Sequence, residues 1–216
     1  MRLVLLGLGL VLLVGCATPP PLHDYSAFKQ ANPASVLVLP PQNNTPDVQA
    51  TASVLAQLSY PLAESGYYVF PVSLVDETLK ANGIQTAADA HQIDPQKLQQ
   101  IFGADAVLYV LIKSYGSVYK VVASEAVVVL DAKLVDLRSG QLLWTGTARA
   151  STAEQQGNNQ GGLVGLLVMA VIDQIANQMG DRSHPVAGIA SHRLLSAGSH
   201  NGVLHGPRAN KQTKPP

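Results

Sequence analysis

The chain has 216 residues, with 14 Lys and Arg against 14 Asp and Glu, 47% hydrophobic and 13% charged side chains, and a single cysteine. That length suits one domain, and a folded chain of this size buries roughly 70% of its unfolded surface, so one substantial core is expected. A collagen repeat, wholesale disorder and a disulfide scaffold are excluded by composition, and formal neutrality without a Lys/Arg stripe argues against a nucleic-acid binder.

The amino terminus is the most legible element. Arg2 precedes an apolar run from Leu3 to Val14, interrupted only by Gly7 and Gly9, and Leu13-Val14-Gly15-Cys16 follows directly. Twelve helical residues span only about 18 Å against a hydrocarbon core of about 30 Å, so the run reads as a signal segment rather than a membrane span. The pattern resembles a bacterial lipoprotein signal. That resemblance implies cleavage after Gly15, a thioether-linked diacylglycerol on Cys16 and N-acylation by a palmitate-type chain. Several acyl chains at about 0.8 kcal/mol per buried CH₂ make such an anchor effectively permanent. Ala17, where an Asp would resemble an inner-membrane retention signal, implies the outer membrane, facing the periplasm.

Residues 1–15 are thus the signal, and 16–24, with Pro19-Pro20-Pro21, a stiff lipidated tether. A single domain is expected over 25–196. Residues 197–216, rich in Gly and Pro and carrying Arg208, Lys211 and Lys214 without an acid, read as a basic flexible tail or a surface strap. Residues 16–196 hold ten basic and fourteen acidic side chains, so a body of charge −4 precedes a tail of charge +3.

Within the body, Ser35 to Leu39 is a short apolar run ended by Pro40-Pro41, expected as a buried strand. Thr45-Pro46-Asp47 has the cap, first-turn proline and acid of a helix start, and Val48, Ala52, Leu55, Leu58 and Leu62 form its apolar face. Pro61 should kink or shorten that helix, and Gly66 should close it. Tyr67 to Phe70 is a second strand. A short helix follows from Ser73 and Asp76 to Asn82-Gly83, Thr86 begins a further turn, and Asp94-Pro95 caps a third helix. Leu98, Ile101 and Phe102 are expected on its inner side, with Gly103 as its stop.

After Gly103 the period changes to two. Ala104 to Ile112, Ser117 to Asp136 and Gln141 to Ala150 read as long antiparallel strands, with Gly116 marking a turn and Arg138-Ser139-Gly140 the last hairpin. Ala126, Val128, Leu130, Ala132 and Leu134 lie on one face, Glu125, Asp131 and Lys133 on the other, and Trp144 anchors the return strand. Glu154 to Gly162 is a polar, Gly-rich loop. Leu163 to Ile172 is apolar all round, which requires cover on more than one side: a central core helix, or burial against another subunit or lipid. Val186, Ile189 and Leu194-Leu195 mark a last amphipathic segment after Gly180-Asp181. The fold class that follows is an α/β (α+β) sandwich, with a mixed, largely antiparallel sheet flanked by helices.

The inventory of chemistry is nearly empty. The chain has no zincin, nucleophile-elbow, phosphate-loop or Cys-x-x-Cys motif, so no cofactor, metal or catalytic residues are expected. His184 and His192, two helical turns apart, are too distant to share a metal ion without a third element. Ser183 and His184 imitate a nucleophile and base, yet adjacent residues diverge and cannot pair as a triad requires; Asp181 and Ser183 read as a helix cap. Asp76-Glu77 and Asp131 with Asp136 also diverge and read as solvated.

Five stretches carry a wider resemblance: Ser35-Val-Leu-Val-Leu-Pro-Pro-Gln-Asn-Asn, Leu62-Ala-Glu-Ser-Gly-Tyr-Tyr-Val-Phe-Pro-Val, Gly103-Ala-Asp-Ala, Leu134-Val-Asp-Leu-Arg-Ser-Gly-Gln-Leu-Leu-Trp and Asp181-Arg-Ser-His. Together they resemble a family of Gram-negative outer-membrane lipoproteins that includes a meningococcal surface antigen, over most of residues 16–208. More distantly, the order of elements is similar to the periplasmic domain of the curli secretion lipoprotein CsgG and to the amino-terminal domain of TolB. These resemblances imply a non-enzymatic role in envelope assembly, export or transport, in a homo-oligomer or a complex with other envelope lipoproteins. A small-ligand or glycan-binding module is the alternative, with Tyr67, Tyr68 and the loop Gln42 to Thr45 as its pointers, and a hydrolase using His184 ranks third.

Overall fold

The computed structural model describes residues 23–119, 124–155, 183–199 and 201–209. The order is α1 (Ser26–Ala31), β1 (Ser35–Val38), β2 (Gln42–Asn43), α2 (Ala50–Glu64), β3 (Tyr68–Val69), α3 (Val72–Ala81), α4 (Ala87–Ala90), α5 (Pro95–Phe102), β4 (Ala106–Tyr119), β5 (Ser124–Asp136), β6 (Leu142–Ser151) and α6 (Ser183–Leu195). A single mixed sheet runs β3-β1-β4-β5-β6, with the two-residue β2 paired to the far part of β4. Parallel pairs join β3, β1 and β4, while the long antiparallel ladders β4–β5 and β5–β6 hold most of the register. Among the described residues no helix is long and apolar enough to cross a membrane.

Alternation along the central strands divides the core in two, because successive side chains leave opposite faces. Val36, Val38, Leu108, Val110, Ile112, Val128, Leu130 and Leu134 face α1, α2 and α6. Leu37, Leu39, Val107, Tyr109 and Val135 face α3, α4 and α5. The expected apolar row of β5, from Ala126 to Leu134, belongs to the first layer.

Local signals place most boundaries. The Asp94 carboxylate accepts from the Gln96 N–H, Pro95 opens α5, and Gly103 closes it in the left-handed region at φ 71°. Thr86 accepts from the Asp89 N–H and starts α4. The helix α2 departs from its expected start: Asn43 Oδ1 accepts from both the backbone N–H and the hydroxyl of Thr45, and Asn43 Nδ2 donates to the Asp47 carbonyl. Those bonds close residues 43–47 as a loop, so the helix begins at Ala50 and buries Ala50, Val54, Leu58 and Leu62. Val48, placed in the apolar face by spacing, is 89% exposed, and Ala52 is also exposed. Pro61 lies inside the helix, which continues to Glu64. Ile101 is likewise outward, at 43% exposure, leaving Leu98 as the buried anchor of α5.

Gly116 is not a turn. It sits within β4 opposite Val127, at φ 118°, a conformation for which glycine has no Cβ penalty. Asp136, expected in solvent, and Glu125, expected on the polar face of β5, are both buried. Asp136 accepts from the Arg138 and Ser139 N–H groups and the Ser139 hydroxyl, closing the β5–β6 turn that Gly140 completes. Glu125 accepts from the Ser151 hydroxyl at 2.9 Å, with Arg149 at 3.7 Å.

Asp105, within the Gly-Ala-Asp-Ala stretch, joins three elements. Its carboxylate accepts from the Ala34 and Ser35 N–H groups and the Ser35 hydroxyl at the start of β1, and from Arg138 in the β5–β6 turn. Burial opposes its ionisation, but the hydrogen bonds from Ser35, Ala34 and Arg138 outweigh burial and hold its pKa below the ordinary carboxylate value. A depressed folded pKa contributes stability above the unfolded value near 4, and that contribution is lost as pH falls through the folded one. Asp105→Ala leaves the Ala34 and Ser35 N–H groups and the Ser35 hydroxyl without their acceptor, so a loss of about 1–3 kcal/mol is expected at pH 7. Urea melts at pH 7 and pH 3 test both points: the gap between variant and parent should narrow at the lower pH.

The packed body continues past Ser196. Residues 201–209 lie as a strap across the first layer, with Val203 buried in its core. The hydroxyls of Tyr25 and Tyr67 donate to the carbonyls of Gly202 and Leu204. Gly206 N–H donates to Ser65 O at 2.8 Å, and Arg208 N–H to Gly66 O at 3.1 Å. Of the tail and strap readings, the described part of this segment is a strap.

Candidate functional site

The expected lipid attachment at Cys16, the loop after Gln155, the apolar stretch Leu163 to Ile172, Asp181 and His200 all lie outside the described residues. His184 and His192 both lie on α6. Among the described residues no group of three His, Cys, Asp or Glu side chains is arranged to hold a metal ion.

His184 pairs with neither Ser183 nor His192 but with α2. Its Nδ1 is 2.7 Å from Ser53 Oγ, its Nε2 is 2.9 Å from Gln57 Nε2, and Tyr115 OH donates to Ser53 Oγ at 2.8 Å. With the Gln57 amide in this orientation its NH₂ donates to His184 Nε2, so that nitrogen accepts and Nδ1 carries the proton. Ser53 Oγ therefore accepts from both His184 and Tyr115. A base that activates a serine must accept the serine's proton; here the ring donates to it. The cluster instead ties α2, α6 and β4 together, which suits a structural pin. No sequence signal identified it, because Ser53 and Gln57 lie more than 120 residues from His184.

The pointers to a glycan site separate. Tyr67 is buried, and burial pushes its phenol pKa far up, while its hydroxyl is committed to the strap. Tyr68 is 45% exposed, packs edge-on against Phe70 and has the Arg208 guanidinium over its ring. The loop from Gln42 starts as β2, level with Leu111 on β4, whereas β3 is level with Ala106 through β1. Five strand residues, about 16 Å, separate the two.

A cleft lies elsewhere, alongside β6. Its volume is about 530 Å³, and it is lined by Asp131, Trp144, Thr145, Gly146 and Thr147 of the sheet together with Arg193 of α6, Ser199, Asn201 of the strap and His23. Asp131 accepts from Thr147 at 2.8 Å and pairs with Lys113 at 2.8 Å. Burial works against its ionisation, but those two partners outweigh it and lower its pKa. Arg193 donates to the Arg149 carbonyl and to Glu154, both at 2.7 Å. His23 N–H donates to Asn201 Oδ1, so the chain from the tether joins the body at the wall of this cleft.

Comparison with known proteins gives the lineage. The family model described as "Putative lipoprotein GNA1162-like" matches residues 23–208. The chain belongs to the GNA1162-like lipoprotein family. A relative from Neisseria meningitidis serogroup B, "Putative lipoprotein NMB1124/NMB1162", is 49% identical over 210 residues, covering 96% of this chain and 97% of that protein. The crystal structure of lipoprotein GNA1162 from N. meningitidis is similar at 49% identity with a TM-score of 0.55, covering 68% of this chain and all of that one. A PelC dodecamer structure from Paraburkholderia phytofirmans aligns at 16% identity and a TM-score of 0.42, over 81% of this chain and 90% of that one.

The GNA1162-like match ends at residue 208, so it takes in the strap as well as the sheet and helices. The lipoprotein reading from the first sixteen residues agrees with the family to which the body belongs.

Proposed function

We propose that this chain is a non-enzymatic lipoprotein, anchored in the outer membrane through Cys16 and facing the periplasm, that serves as a subunit or accessory of an envelope assembly, export or transport complex. The observation that carries the reading is the junction at His23. It lies seven positions after Cys16, a reach of no more than about 25 Å, and its backbone is fastened to Asn201 of the strap. A body with a two-layered core, held that near a bilayer by a proline-stiffened tether, is suited to presenting a surface to neighbouring envelope proteins. The commitment of both His184 ring nitrogens to α2 favours this role over a hydrolase.

Two measurements test it. Cys16→Ser is expected to move essentially all of the protein from the membrane to the soluble envelope fraction; persistence in the membrane at the parental level rejects the anchor. In-cell photocrosslinking from α6 and from the Val127 to Val135 stretch is expected to trap a discrete envelope partner. A strictly monomeric protein with no crosslinked partner rejects the accessory role.

A further inference from the structure

Among the described residues β6 is the last strand on its side of the sheet. Two observations show which of its backbone groups point away from β5. Asp131 and Thr147 are direct cross-strand partners whose side chains meet at 2.8 Å, as in a non-hydrogen-bonded pair, where side chains approach closest and the backbone groups turn outward. Arg149, two residues on and in the same phase, has its carbonyl taken by Arg193 from outside the sheet. Lys133 opposite Thr145 continues that phase. The N–H and C=O groups of Thr145 and Thr147, and the N–H of Arg149, therefore face away from β5. Apart from the Arg193 bond, no other hydrogen bond to them is present among the described residues. Thr145, Gly146 and Thr147 also line the 530 Å³ cleft, so this edge borders a groove.

We propose that this groove is a strand-acceptor site, which takes an extended, proline-free peptide segment of another envelope protein as an additional strand on β6. The backbone ladder supplies the binding energy, and the short side chains of Thr145 and Thr147 leave room for the incoming main chain. The tether is a poor occupant, because Pro19, Pro20 and Pro21 have no N–H to donate to the Thr145 and Thr147 carbonyls. A second copy pairing edge to edge through β6 is the competing occupant, and the concentration dependence of protection in the test below tells the two apart. The proposal deepens the accessory role by naming its docking surface and rests on that reading only for the partner's location. A failed peptide test leaves the crosslinking result standing.

The test uses the mature chain carrying Cys16→Ser and a synthetic acetylated, amidated peptide, Thr-Val-Thr-Val-Thr. Amide exchange is read by NMR. In the protein alone, the Thr145 and Thr147 amides should exchange at least ten times faster than those of Gly146 and Ala148. Saturating peptide should slow Thr145, Thr147 and Arg149 at least tenfold, and a peptide N-methylated on its pairing face should not. Thr147→Pro removes an outward N–H and the exposed Thr147 hydroxyl bond to Asp131 but no backbone bond to β5, so it should weaken peptide binding at least tenfold while preserving the melting temperature within a few degrees. Unchanged exchange at millimolar peptide overturns the proposal. So does protection of Thr145 and Thr147 in the monomeric protein alone, which means that another part of this chain covers the edge. Protection that rises only with protein concentration, in step with dimerisation, overturns it in favour of a second copy.

Discussion

Truncation after Ser196 is expected to destabilise the protein by about 4 kcal/mol or more, a large share of the roughly 5–15 kcal/mol that keeps a domain folded. The segment looks dispensable by composition, yet it supplies Val203 to the core and carbonyl acceptors to buried donors. Burying one valine contributes about 1.5–3 kcal/mol, and each buried donor stripped of its acceptor costs about 1–3 kcal/mol. Trp144 Nε1 loses the Asn201 carbonyl, the buried Tyr67 hydroxyl loses that of Leu204, and the half-buried Tyr25 hydroxyl loses that of Gly202. Gly66→Ala separates the seating of the strap from its presence. A Cβ at Gly66 would stand 2.2 Å from the Ala209 nitrogen, and the residue is already at φ 92°. The left-handed backbone alone costs about 1–2 kcal/mol for alanine, and the clash must lift the end of the strap besides. Urea unfolding measures both variants, and limited proteolysis should cut Gly66→Ala between residues 199 and 209 faster than the parent. A truncated chain within 1 kcal/mol of the parent would show that the strap is ornamental.

The strap also marks where sequence reading stops. Its acceptors are backbone carbonyls, which every residue carries, and its one core side chain stands among Gly, Pro and His, so no periodicity announces it. Elements specified by their own residues were readable: the Asp94-Pro95 start and Gly103 stop of α5, the Asp136 to Gly140 turn, and the alternation of β5 on its core face. The start of α2 was misplaced because Thr45-Pro46-Asp47 has the composition of a cap, and only the folded loop shows Asn43 capturing Thr45 first. Asp136 read as solvated, and Glu125 as one of the polar face of β5, for a related reason. A carboxylate buried with its partners has the same letter as one in water, and Glu125 takes a hydrogen bond from Ser151 and an ion pair with Arg149, both on another strand. The His184 cluster depends on helices far apart in the chain, and the cleft depends on a strand edge, a helix and the strap at once. Family membership was legible through short stretches such as the Gly-Ala-Asp-Ala strand entry, whose Asp105 proves to be a three-way junction between β1, β4 and the last hairpin.

Trp144→Ala is expected to cost about 3–5 kcal/mol, the range for removing a large aromatic side chain from a core. The ring is 1% exposed, its Nε1 donates to Asn201 O at 2.8 Å, and it lies against Gly146 two residues further along β6. That last contact explains the glycine: a Cβ at position 146 would come within 2.2 Å of Trp144 Cζ2 and 3.2 Å of Leu194 Cδ1. Gly146→Ala must therefore push the ring out of its seat, at an overpacking cost of about 1–3 kcal/mol. Because Trp144 is the only tryptophan, its emission reports the seat directly. The parent should emit as a buried indole, and Gly146→Ala should shift to the red at the same time as it loses stability. Trp144→Phe keeps most of the apolar volume but gives up the bond to the strap, so by circular dichroism it should lose less stability than Trp144→Ala and expose residues 199–209 to protease. If Gly146→Ala leaves both emission and stability unchanged, the indole does not rest on the glycine, and the account of how β6, α6 and the strap are held together fails at its centre.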